Sequence, residues 1–160
     1  MTESFWRTEV WHPLTVHFPI ALLVFSTLVF FISFVLPSEK RLQWQKFSIV
    51  LLFAGTVGAW VALYTGDLAD GVVARKICDP LLLKDHEIAA QTSTYLFTAA
   101  CVIILLLNIP VINAFRKIII VIVVAIMATG CVYLTIASHA GATLVYNQGA
   151  GVLNHPHNCN

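Results

Sequence analysis

Six histidines, His12, His17, His86, His139, His155 and His157, are the residues of this chain best suited to chemistry. Neutral imidazole is the commonest protein ligand for metals. An imidazole buried in apolar surroundings is costly unless something binds it. Four of the six stand where long apolar runs begin or end. His12 and His17 head the first run, His86 heads the third, and His139 closes the fourth. If the runs cross a membrane alternately, all four come to one membrane face, whichever way the protein is inserted. The tail pair, His155 and His157, falls on that face too, and no histidine lies in the two loops of the opposite face.

The elements that must hold these side chains follow from composition. The chain has 160 residues, 59% hydrophobic and 11% charged. A soluble domain is about 45–50% apolar and about 25% charged, so that class is excluded. A net charge of +1 excludes a polybasic nucleic-acid binder. Each apolar run reaches the roughly 20 residues that a helix needs to cross about 30 Å of hydrocarbon. The runs are continuous and do not alternate, which argues against strands. The expected fold is all-α: one integral membrane domain over 1–160, a four-helix bundle running up-down-up-down. Its helices are expected at about 13–36, 47–66, 86–108 and 117–139. The first run is too long for a cleaved signal and is read as retained. No internal repeat is visible. There is no nucleophile–base pair and no phosphate loop, so an electron carrier is favoured over an enzyme acting alone.

Lys40, Arg41, Lys46, Arg116 and Lys117 crowd the first and third loops. Positively charged short loops face the cytoplasm. This places both termini, the second loop and the histidines outside a bacterial inner membrane. There Cys78 and Cys159 are candidates for a disulfide. Trp6, Trp11, Trp44 and Trp60 fall mostly near the interfaces, as an aromatic belt does. Pro19 is placed to bend the first helix beside His17. Asp67 and Asp70, at the histidine face, are candidates to orient imidazoles.

Small residues lie beneath the histidines: Ala89, Ala90, Ser93 and Thr94 under His86, and Thr135, Val132, Cys131 and Ala128 under His139. Such stripes leave a slot about 10–12 Å tall over two turns. They also permit close helix packing. Haem is favoured over zinc, because bis-imidazole ligation suits it and few carboxylates or thiolates lie at depth to complete a zinc site. No Cys-x-x-Cys-His occurs, so the haem is expected to be b-type. The expected ligands of one or two haems are His12, His17, His86 and His139. His86 and His139 form the leading axial pair, with His12 and His17 as a second or supporting pair. Two other readings use the same histidines: a zinc or copper protein, and a structural subunit whose imidazoles only bond carbonyls.

Two stretches carry a resemblance. Trp11-His12-Pro13-Leu14-Thr15-Val16-His17-Phe18-Pro19-Ile20-Ala21-Leu22 resembles the His-Pro-x-x-Val-His-Phe-Pro-Ile-Ala opening of a bacterial family, domain of unknown function twenty-two thirty-one. Gly141 to Val152 resembles that family's closing Gly-Gly-x-Leu-Val-Tyr-x-x-Gly-Val-Gly-Val, with Ala142 and Ala150 in place of a Gly and a Val. The resemblance covers nearly the whole chain and implies a four-helix membrane domain. It carries His12, His17, His86 and His139 over as family positions. It implies no activity by itself. Relatives that look redox-associated, some paired with cytochrome c modules, point to a redox partner of that kind, in a homo- or hetero-oligomer.

Overall fold

A computed structural model describes residues 6–152. Four long helices and one short turn carry the chain: α1 (Thr8–Ser33), α2 (Ser38–Val73), α3 (Pro80–Leu106), the one-turn α4 (Pro110–Asn113) and α5 (Arg116–Gln148). All four long helices are long and apolar enough to cross a membrane. Each begins or ends beyond an expected boundary, and two do so by the most. α2 has 36 residues and α5 has 33, lengths of about 54 and 50 Å at 1.5 Å per residue. The charged segment expected as a loop, Glu39 to Lys46, is helical. Glu, Lys, Arg, Leu and Gln are all good helix formers, and polarity alone does not end a helix. At the other end α5 takes up His139 and continues until Gly149, which adopts the left-handed conformation (φ 65°) that glycine tolerates best.

The helices form two hairpins. α1 packs mainly on α2 and α3 mainly on α5, and contact between the hairpins is far sparser. Within the first hairpin Ser26 and Ser48, both fully buried, each donate a hydroxyl to the other's carbonyl, at 3.0 and 2.8 Å. Pro80 opens α3 behind an Asp79 cap, whose carboxylate accepts from the backbone N–H of Leu81 and Leu82 at 3.0 and 3.2 Å. The start of α3 is tied to the end of α5 where Asp79 N–H donates to Gln148 Oε1 at 2.9 Å.

The two hairpins repeat one another, although the sequence reads without a repeat. The correspondence adds 74 to a position on α1 and 75 to one on α2. A Cβ on Gly55 would fall 2.8 Å from Leu23, and one on Gly130 would fall 2.9 Å from Phe97. Leu23 corresponds to Phe97 and Gly55 to Gly130. Buried Leu52 corresponds to buried Met127, and buried Ala62 to buried Ala137. The contacts between hairpins are reciprocal as well. The Cys101 thiol meets the Thr56 hydroxyl at 3.5 Å, and the Cys131 thiol donates to Thr27 Oγ1 at 3.4 Å. Thr27 corresponds to Cys101 and Thr56 to Cys131. This is the i-to-j, j-to-i pattern of a two-fold interface. The domain is therefore a pseudo-dimer of hairpins. The repeat escapes the sequence because it is kept in burial and contact, while most residue identities have diverged.

Candidate functional site

His12 and His86 are corresponding residues, and they meet. Their ring centroids are 5.9 Å apart and their planes stand at 83°. A residue that touches its own counterpart lies on the pseudo-two-fold axis, so the pair marks the centre of the bundle at the histidine end. Each ring is held in the same way. Nδ1 of His12 donates to the Ala62 carbonyl at 2.9 Å, and Nδ1 of His86 donates to the Ala137 carbonyl at 2.8 Å. A carbonyl can only accept, so Nδ1 carries the proton and Nε2 of a neutral ring keeps its lone pair. One turn beyond each carbonyl a glycine makes room for the ring. A Cβ on Gly66 would meet His12 Cε1 at 3.3 Å, and one on Gly141 would meet His86 Cε1 at 3.0 Å. Sequence reasoning missed this platform. Its signal is Ala-x-x-x-Gly, present as Ala62–Gly66 and again as Ala137–Gly141.

The Nε2 atoms of both rings lack a hydrogen-bond partner among the described residues. Among the described residues every buried side-chain N or O has a hydrogen-bond partner. Neither Nε2 has a protein partner, so each borders accessible volume. Helical phase, set by the Thr27–Cys131 and Thr56–Cys101 contacts, turns Val16, Leu63, Ala90 and Leu134 into the same central seam. All four are only half-buried. Deeper, Leu23, Leu52, Phe97 and Met127 close the seam completely. Below the two imidazoles these buried side chains close the seam. The 5.9 Å separation and near-perpendicular planes are those of an edge-to-face ring contact.

The other two histidines stand elsewhere. His139 lies two residues from Ala137 and Gly141, about 200° around α5 from the face that receives His86, and it is exposed. His17 is also exposed, and its Nδ1 donates to the Pro13 carbonyl of its own helix at 2.7 Å. The leading pair expected from the sequence, His86 with His139, is replaced by His86 with His12. Spacing gives the level of a side chain but not which neighbour it turns to. The slot expected under His86 is also closed. Ser93 donates to the Gly130 carbonyl at 3.0 Å, and Phe97 packs on Gly130. Those small residues serve the α3–α5 contact.

Asp70 lies in electrostatic range of Glu87, Asp67 and Lys84, near the histidine end. Lys84 pairs with Glu87 at 2.9 Å. Among the described residues no three His, Cys, Asp or Glu side chains gather as a metal cluster. Cys78 is disulfide-bonded and Cys101 and Cys131 are free. Cys159, His155 and His157 lie outside the described residues.

Residues 9–154 match the family described as predicted membrane protein, DUF2231. The chain belongs to this family. Neither the curated proteins nor the solved structures contain a match. DUF2231 membership agrees with the four-helix membrane architecture and assigns no chemistry.

Proposed function

We propose that this DUF2231 domain is a b-type cytochrome that carries electrons near the outer membrane face, with His12 and His86 as the residues that would hold the haem iron. The observation that carries this reading is the paired platform: two counterpart imidazoles in contact, each with Nδ1–H on a backbone carbonyl and Nε2 without a protein partner among the described residues. A carbonyl on the far nitrogen fixes the tautomer and raises ligand basicity, the arrangement that metal-binding histidines usually have. Two protein donors suffice for haem, whose iron is already held by four ring nitrogens. They do not suffice for tetrahedral zinc. Half-buried Val16, Leu63, Ala90 and Leu134 supply an apolar surface for the edge of a macrocycle, and Leu23 and Phe97 keep water from entering below. Bound haem supplies one-electron redox chemistry at iron.

The bundle, in this reading, orients both imidazoles, excludes water beneath them and presents the site toward the aqueous face. A water-soluble one-electron carrier of the cytochrome c type is the expected partner. Purified protein should be red, with a Soret band that shifts on dithionite reduction and one iron per chain. His12→Ala and His86→Ala should each abolish the axial spectrum. A colourless protein that folds refutes haem. Zinc or copper in place of iron turns the site into a plain metal site, and no metal at all makes the pair a structural hydrogen-bonding device.

A further inference from the structure

His17 and His139, which the axis pair leaves unused, lie at one level on a different surface. Thr27 on α1 touches Cys131 on α5. His17 lies ten residues toward the histidine end of α1 from that contact, and His139 lies eight residues toward it on α5. At 1.5 Å per residue they stand about 15 and 12 Å above the contact, so they share a level. At 100° per residue each is turned about 80° from the Thr27–Cys131 line. Because α1 and α5 run in opposite directions, these turns bring both to the same side. Two exposed imidazoles therefore flank the groove between α1 and α5, on helices long and apolar enough to cross a membrane.

The pseudo-two-fold supplies an internal control, the groove between α2 and α3. There the counterparts of His139 and His17 are Tyr64 and Gln91. One turn deeper that groove is filled: the rings of Trp60 and Tyr95 lie 5.7 Å apart, and Trp60 Nε1–H donates to Thr98 Oγ1 at 3.1 Å. The corresponding residues between α1 and α5 are Thr135, Ala21 and Val24. The groove that carries the histidines is thus the one without the aromatic filling. Nδ1 of His17 already donates to Pro13, so its Nε2 can only accept. An acceptor facing lipid is costly unless a donor comes to it.

We propose that this groove binds the head group of an isoprenoid quinol entering from the lipid. A quinol is a flat ring with O–H donors at opposite ends. Two imidazole acceptors on helices about 8–10 Å apart can take both hydroxyls, and the room left by Thr135 and Ala21 accepts the ring. Oxidation to the quinone breaks two O–H bonds. One proton goes to Nε2 of His17, the other to His139, and both pass to the aqueous face. The two electrons need a one-electron acceptor, which haem held by His12 and His86 would supply. His17 is five residues from His12, about 7–8 Å along α1. The electron step rests on the haem reading above, but the binding step does not.

Calorimetric titration of the detergent-solubilised protein with decylubiquinone and its quinol tests both. The wild type should bind the quinol. His17→Ala with His139→Ala should weaken binding about thirtyfold, the loss of two hydrogen bonds, while the visible spectrum stays unchanged. Thr135→Trp with Ala21→Tyr, which copies the filled groove, should also abolish binding. A red protein that does not bind quinol overturns this site alone. Iron falling from two to one per chain in the double alanine variant would make these residues haem ligands and overturn the quinol assignment. A colourless protein that binds quinol through His17 and His139 upholds the site and removes only its electron acceptor.

Discussion

Gly141→Ala is the sharpest probe of how His86 is held. The new Cβ would stand 3.0 Å from Cε1 and 3.3 Å from Nδ1 of the ring. Ordinary contact begins near 3.4 Å, so the ring must retreat by about 0.4–0.5 Å. Its Nδ1 lies 2.8 Å from the Ala137 carbonyl. A retreat along that line stretches the bond to about 3.3 Å, past the usual range. The cost combines a weakened hydrogen bond, about 1 kcal/mol, with overpacking, about 1–3 kcal/mol. Alanine in place of glycine inside a helix returns about 0.5–1 kcal/mol. The net expectation is a destabilisation of about 1–3 kcal/mol. The same movement carries Nε2 off position by more than the roughly 0.2 Å that metal coordination tolerates. Thermal unfolding in detergent and the visible spectrum would be recorded on one preparation. Gly66→Ala, where the approach to His12 is 3.3 Å, should be milder in both. Gly71, with nothing within 4 Å, is the control. If Gly141→Ala behaves like Gly71→Ala, the packing of His86 on α5 described above is wrong.

Gly71→Ala itself should raise stability by about 0.5–1 kcal/mol, seen as a higher midpoint of thermal unfolding. Asp79→Ala removes the acceptor for two N–H groups at the start of α3 and should cost about 1 kcal/mol by the same measurement. Labelling denatured protein with a maleimide should modify Cys101 and Cys131 without reductant and Cys78 only after reduction, read by mass spectrometry of the peptides. Ser26→Ala leaves buried Ser48 short of an acceptor for its donated proton only if the backbone shifts, since that bond ends on the Ser26 carbonyl. It should therefore cost only about 1 kcal/mol, the bond made by its own hydroxyl.

Most of the fold is legible in the chain because hydrocarbon allows few solutions. Runs of about 20 apolar residues must be helices, and four of them place His12, His17, His86 and His139 at one end. Helix ends were not legible from polarity, since Glu39 to Lys46 favour helix as strongly as the apolar residues do. The level of the histidines was legible, but not which of them meet. Depth follows from residue counts, whereas partner choice depends on rotation about each helix axis. Rotation is set here by glycines, at Gly55 under Leu23, Gly66 under His12, Gly130 under Phe97 and Gly141 under His86. In the sequence these read only as small-residue packing, which is their role, but the shape each one admits belongs to the other helix.

The reciprocal Thr27–Cys131 and Thr56–Cys101 contacts have an evolutionary consequence. A hairpin that binds its own copy must keep both outer grooves identical, since any mutation appears twice. Once the copies are joined end to end, that constraint is lifted. One flank can be sealed with tryptophan and tyrosine while the other gains histidines, and the shared axis between them continues to require the same residue from each half.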